Sequence, residues 1–205
     1  MKNLTSRQIN LAKYASGLPE EGSFMLEEVP VGEPEDNEVL VQNIFMSVDP
    51  YMLGRMSVRA GDQPYKIGQP LAGGCVGKVI ESHNGDFKAG EYVLGNKGWR
   101  EYYISDGAEL AQIDPDIAPV QAYLGILGMP GFTAYYGLLH LGKPKEGETV
   151  YVSAASGAVG SAVCQIARIK GCRVVGSAGS GGKIKWLKEE AGIQAAFNYK
   201  KSAAL

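Results

Sequence analysis

Side chains that bind metals are scarce in this chain. Only two histidines occur in 205 residues, His83 and His140, and neither has a partner at i+3 or i+4. The three cysteines, Cys75, Cys164 and Cys172, form no C-x-x-C pair. A zinc site needs three or four ligands at close spacing, so no metal is expected. Odd, scattered thiols read as reduced and buried in a cytoplasmic protein. An excess of charge is also missing: the net charge is −2 and the pI about 5.8. That excludes the basic stripe of a nucleic-acid binder. Residues 1–17 hold no apolar signal core, so no secretion is implied. Ile117–Gly142 contains no Asp, Glu, Lys or Arg, which is long enough for a membrane span. Pro119 and the break Gly128-Met129-Pro130-Gly131 divide it, so it reads as a buried helix pair and no membrane partner is expected. No Ser/His/Asp or Cys/His arrangement appears, and no catalytic residue is assigned.

Glycine, by contrast, is abundant. The chain has 28 in 205 residues, about twice the usual share of roughly 7%, with no collagen period. These glycines mark turns and close backbone approaches. Residues 1–120 read mostly as short strands. Ser23–Glu28, Glu38–Ser47 and Gly73–Glu81 are rich in β-formers and are separated by clusters such as Gly32-Glu33-Pro34-Glu35-Asp36-Asn37. Glu38–Ser47 is apolar on both faces, as in a strand covered on both sides. Many short strands with Gly/Pro turns suggest a sandwich or small barrel.

After residue 120 the rhythm changes. Helical spacing at Pro119–Tyr123 and Phe132–Leu141 precedes strand Thr149–Ser153, helix Gly157–Lys170, strand Arg173–Ser177, helix Lys183–Ala191 and a short strand Ala195–Tyr199. That βαβαβ order is one mononucleotide half of a doubly wound α/β sheet. Its first strand, central in the full sheet, is expected to be an edge, with one wall of the ligand crevice missing. The 205 residues are therefore expected to be a fragment of a longer enzyme or a truncated gene product.

Between the first strand and helix lies Ser153-Ala154-Ala155-Ser156-Gly157-Ala158-Val159-Gly160. Strand, small-residue turn and helix is the context a dinucleotide fingerprint needs, because free N–H groups at the helix start then face a pyrophosphate. Gly157 would let the main chain approach phosphate, and Gly160 would let the helix sit close to the sheet. Gly125-Ile126-Leu127-Gly128-Met129-Pro130-Gly131 repeats the glycine spacing but follows no strand, and reads as a bend between helices. Cofactor choice is read at the end of the second strand. An NAD site usually places Asp or Glu about 20 residues past the first glycine. Here Val174-Val175-Gly176-Ser177-Ala178-Gly179-Ser180 carries no acid, and Lys183 is the next charge. Hydroxyls and an ammonium attract a 2′-phosphate that a carboxylate would repel, so NADP is expected.

Several segments together resemble one family. They are Ser47-Val48-Asp49-Pro50-Tyr51-Met52, Gly90-Glu91-Tyr92-Val93-Leu94-Gly95, Gly128-Met129-Pro130-Gly131-Phe132-Thr133-Ala134-Tyr135, Gly147–Ser161 and Phe197-Asn198-Tyr199-Lys200. The chain resembles, from end to end, the zinc-independent medium-chain dehydrogenases/reductases, in the branch of the prostaglandin reductases and the 2-alkenal and curcumin double-bond reductases. The resemblance implies a GroES-like β-barrel domain over 1–120 and the first half of a Rossmann domain over 121–205. It also implies NADPH use and a homodimer. Gly157, Ala158, Val159 and Gly160 would cradle the pyrophosphate, and Lys183 and Tyr199 would hold the 2′-phosphate. Thr133 would lie near the nicotinamide and Tyr51 near a substrate carbonyl. The implied reaction is reduction of the C=C bond of α,β-unsaturated aldehydes and ketones. A quinone reductase of the same superfamily is the alternative, and for this chain alone a non-catalytic nucleotide-binding fragment. The Gly-His-Glu ligands of zinc alcohol dehydrogenases are missing near Gly73-Gly74-Cys75, and Leu53 stands where the family often has Arg, with Arg55 two places on. Gly181-Gly182 replaces common acidic residues and is expected to loosen the helix that carries Lys183. The tyrosine implied as the helper of enolate protonation would lie beyond residue 205.

Overall fold

Short runs of β-forming residues between turn clusters make β-structure of the first half of the chain. The computed structural model describes residues 4–57 and 63–201. Strand β1 (Thr5–Leu11) pairs antiparallel with β2 (Phe24–Pro30), with Leu11 opposite Phe24 and Thr5 opposite Pro30. Strands β3 (Val39–Met46), β4 (Cys75–Ser82), β5 (Tyr92–Gly95), β6 (Tyr102–Ser105) and β7 (Ala111–Ile113) form an antiparallel sheet in the order β6-β3-β4-β5-β7. Val39, Val41, Cys75, Val79 and Val93 fill its core. Helix α1 (Tyr51–Arg55) adds Met52 to a second cluster with Leu11, Met56, Tyr65 and Leu71. Trp99 stacks on Phe24 at 6.3 Å between centroids.

Strand β3 is covered on both sides only over Val39–Val41. Ile44, Phe45 and Met46 are exposed. Strand β1 was not expected from sequence. Its inward positions include the buried polar residues Ser6 and Asn10. Ser6 is bonded as donor and acceptor, while Asn10 is bonded through its NH2 group and its side-chain oxygen is buried without a partner among the described residues. The Ser6 hydroxyl donates to the Tyr102 carbonyl (3.1 Å) and accepts from its N–H (3.0 Å), and the Asn10 amide donates to Glu27 (2.7 Å).

The chain divides between Leu124 and Gly125 into two compact units, four residues later than the expected 120/121. A 3-10 turn, Val120–Leu124, packs on β4 and stays with the first unit.

In the second unit, β8 (Thr149–Val152), β9 (Arg173–Ala178) and β10 (Ala195–Asn198) are parallel, in the order β10-β9-β8. Helix α2 (Met129–Tyr135) continues as a π-helical segment, Tyr136–Gly142. Helix α3 (Ala158–Ile169) joins β8 to β9, and α4 (Gly181–Glu189) joins β9 to β10. Gly171, at φ +76°, ends α3, and the Cys172 N–H closes the turn on the Ala167 carbonyl (3.0 Å). The core holds Val152, Ala155, Cys164, Ala167, Val174, Leu187 and Ile193. Among the described residues β8 pairs with β9 alone, so it is one edge of this sheet, with β10 the other.

The stretch 117–142 departs from the expected buried helix pair. Only Pro130, Gly131, Ala134 and Leu138 are buried, on the stripe of α2 and its continuation that turns inward. Phe132, Tyr135, Tyr136 and Leu141 are exposed. No helix among the described residues is long and apolar enough to cross a membrane.

All three cysteines are free and buried. Burial pushes the Cys164 thiol up to about 11 from the usual 9.0. Below pH 9 the thiol is neutral in both states. Between pH 9 and about 11 the unfolded chain loses this proton while the folded chain keeps it, so stability falls as pH rises. Urea unfolding across this range should show a steeper loss for the wild type than for C164A. Identical slopes would mean that Cys164 does not contribute.

Candidate nucleotide-binding site

The site is built at the carboxyl ends of the parallel strands, where open α/β sheets bind ligands. After Val152 the chain turns sharply, with Ala154 at φ +46°. Gly157 caps α3 in extended backbone (φ −77°, ψ 170°), and its N–H donates to the Ala154 carbonyl (2.8 Å). That carbonyl fills the space beside both glycines. A Cβ would stand 3.2 Å from it at Gly157 and 2.4 Å from it at Gly160. At Gly160 the same Cβ would also lie 2.9 Å from the Ala155 Cα. Ala158, Val159 and Gly160 occupy the first turn of α3, where backbone N–H groups have no acceptor within the helix. The cap residue has no side chain to satisfy them, and no acid lies in that turn. The arrangement suits an anion.

The end of β9 forms the second part. Ser180 caps α4, and its hydroxyl accepts from the Lys183 N–H (3.4 Å). Gly181 and Gly182 are therefore helical, and α4 starts two residues earlier than its sequence suggested. The cap supplies the order that the glycines were expected to remove. Lys183 is the third residue of the helix and is exposed. Tyr199 follows β10, and its N–H donates to the Ala178 carbonyl (3.3 Å). The Tyr199 hydroxyl stands 3.0 Å from where Gly179 would carry a Cβ. Lys183 and Tyr199 thus flank Gly179 and Ser180, while Gly157–Gly160 lie at the end of the neighbouring strand. From Thr149 to Lys188 the chain has no Asp or Glu. The second unit holds ten Lys and Arg against four Asp and Glu, a bias hidden in the near-neutral whole.

Other expected residues sit apart from this cluster in the chain. Thr133 is exposed on α2, which packs against α3, and its hydroxyl donates to the Met129 carbonyl (2.7 Å). Tyr51 opens α1 in the first unit and is 43% exposed. Burial, then the Asp49 carboxylate, raises its phenol above the usual value and keeps it protonated, with Arg55 opposing. Sequence reasoning missed the link across the sheet face. The Tyr151 and Ser177 hydroxyls are bonded (2.9 Å), and Tyr151 stacks with Phe197 at 6.3 Å. Among the described residues no group of three or more His, Cys, Asp or Glu could hold a metal ion.

A GroES-like β domain followed by the first half of a Rossmann domain is the architecture of a dehydrogenase/reductase. Residues 7–113 match the family described as the N-terminal domain of oxidoreductase. The chain belongs to that family, in the zinc-independent medium-chain dehydrogenase/reductase branch of the prostaglandin, 2-alkenal and curcumin reductases. It is 44% identical over 195 residues to the NADPH-dependent curcumin reductase of Escherichia coli, covering 95% of this chain and 56% of that protein. It is 43% identical over 210 residues to the NADP(+)-dependent 2-alkenal reductase of Nicotiana tabacum, covering 100% of this chain and 61% of that one. Among solved structures, CurA from Vibrio vulnificus in complex with NADPH superposes with a TM-score of 0.89 at 42% identity. That match covers 96% of this chain and 58% of the Vibrio chain. The chain thus spans somewhat over half the length of the relatives it matches.

Proposed function

We propose that the protein is an NADPH-dependent reductase of the C=C bond in α,β-unsaturated aldehydes and ketones. The observation that carries this reading is an acid-free strand end, with Ser180, Lys183 and Tyr199, beside a glycine turn whose first helical N–H groups have no side-chain cap among the described residues. The donor set suits a dinucleotide with a 2′-phosphate. The main chain of Gly157, Ala158, Val159 and Gly160 holds the diphosphate by N–H donation at the positive end of α3. Lys183 and Tyr199 hold the 2′-phosphate by an ammonium and a hydroxyl. Thr133 is assigned to the nicotinamide side of the cofactor.

NADPH, when bound, supplies the hydride that reduces the substrate's β-carbon. A proton then goes to the α-carbon, giving the saturated carbonyl compound and NADP⁺. Between these events negative charge rests on the substrate oxygen, and a donor aimed at it lowers the barrier. We assign that donor to Tyr51, whose raised phenol remains protonated at neutral pH. Names of the relatives support the alkenal and enone class over quinones.

The test is oxidation of NADPH by the protein against alkenals, enones and quinones, with deuterium-labelled cofactor. Label at the β-carbon of a saturated product is expected. No turnover with any alkenal or enone, or turnover of quinones alone, would reject the reading.

A further inference from the structure

The end of β10 carries one more cation than the site described above uses. Lys200 follows Tyr199, and its side chain runs back across the end of β9. Its Cε lies 3.3 Å from where a Cβ on Gly179 would sit, next to the Tyr199 hydroxyl at 3.0 Å from the same point. A turn fixes this course. The Asn198 side-chain oxygen accepts from the Lys200 N–H (3.0 Å), and the Asn198 carbonyl accepts from the Lys201 N–H (3.0 Å). An ammonium is one bond beyond Cε, so the charge of Lys200 is held close to the end of β9 just before Ser180. Among the described residues neither Lys183 nor Lys200 pairs with a carboxylate. The positive end of α4 lies at the same place, and cations gathered there repel it unless an anion joins them.

We propose that Lys200 reads the 2′-phosphate of the cofactor and sets the preference for NADP over NAD, and that Gly179 is glycine so that Lys200 and Tyr199 can close over it. This rests on the NADP reading above. Lys183 approaches from the helix and Lys200 from the strand that follows, so a doubly charged phosphate would meet ammonium groups from two elements. Lys200 is exposed, which limits each contact to a modest effect.

The experiment compares adenosine 2′,5′-bisphosphate with AMP, by calorimetry on the full chain. The two probes differ only by the phosphate in question. K200M should weaken the bisphosphate by about 5- to 10-fold and leave AMP unchanged. K200R should stay within about twofold of wild type, because the charge is kept. G179A should lose at least as much preference as K200M. Its Cβ meets only the ends of two surface side chains, and Gly179 needs no left-handed backbone, so the fold tolerates it. Discrimination left intact in K200M would overturn the role of Lys200 alone. Equal losses for both probes would make it a structural residue and overturn the role as well. A wild type that binds both probes equally would overturn the 2′-phosphate reading itself, and this assignment with it.

Discussion

G160V is expected to abolish nucleotide binding and to destabilise the second unit while leaving the first intact. The reason is steric and local. A Cβ at Gly160 would lie 2.4 Å from the Ala154 carbonyl oxygen and 2.9 Å from the Ala155 Cα. Both are backbone atoms, so no side-chain rotation relieves the clash. Either α3 moves off the turn or the turn, already strained at Ala154, opens. Overpacking of this kind costs about 1–3 kcal/mol, and valine's two methyl groups place this case at the upper end. Moving the N–H groups of Ala158, Val159 and Gly160 out of line removes hydrogen bonds to a charged group worth about 1.5–3 kcal/mol each, so the loss of affinity is roughly 100-fold or more. Calorimetry with NADPH and urea unfolding followed by circular dichroism measure the two effects. Wild-type affinity in G160V would show that the turn does not hold the diphosphate.

K183E should move stability and affinity in opposite directions. Ser180 caps α4, so Lys183 stands where a capping box places Glu or Gln. An acid there also suits the helix dipole, and a cation does not. The helix would therefore gain about 0.3–1 kcal/mol from the substitution. NADPH, however, would lose an ammonium partner and meet a carboxylate, a change of about 100-fold or more in affinity. NADH, which has no 2′-phosphate, should bind as before. The position is thus explained by the ligand and not by the fold. If NADPH and NADH weakened together, Lys183 would be a general support of the turn and not a reader of the phosphate.

The second unit was more legible than the first, and particular residues explain why. Strands β8 and β9 and helix α3 fall within a residue or two of their expected ends, because β-branched runs and the Gly171 stop are strong local signals. Helix α4 lies two residues earlier at both ends than expected, Gly181–Glu189 against Lys183–Ala191. Glycine has poor helix propensity, and the Ser180 cap that offsets it acts through a hydroxyl on one backbone N–H. Strand β1 was invisible because Ser6 and Asn10 face inward, and hydrogen bonds to distant residues make that burial tolerable. Hydrophobic alternation cannot record such bonds. The glycine turn and the acid-free strand end were both readable from order and spacing. The course of Lys200 across Gly179 was not, since it depends on a turn after β10 and a missing side chain twenty-one residues earlier.

The chain's two tryptophans fall one on each side of the Leu124/Gly125 division. Trp99 is stacked on Phe24 with its indole nitrogen buried, and Trp186 is 40% exposed on α4, three residues from Lys183. Each half therefore carries its own optical reporter, one with blue-shifted emission and one wet and red-shifted. Single-tryptophan forms, W99F and W186F, turn an ordinary fluorescence melt into two separate records. The order in which the halves come apart, and whether nucleotide braces only one of them, becomes a matter of colour.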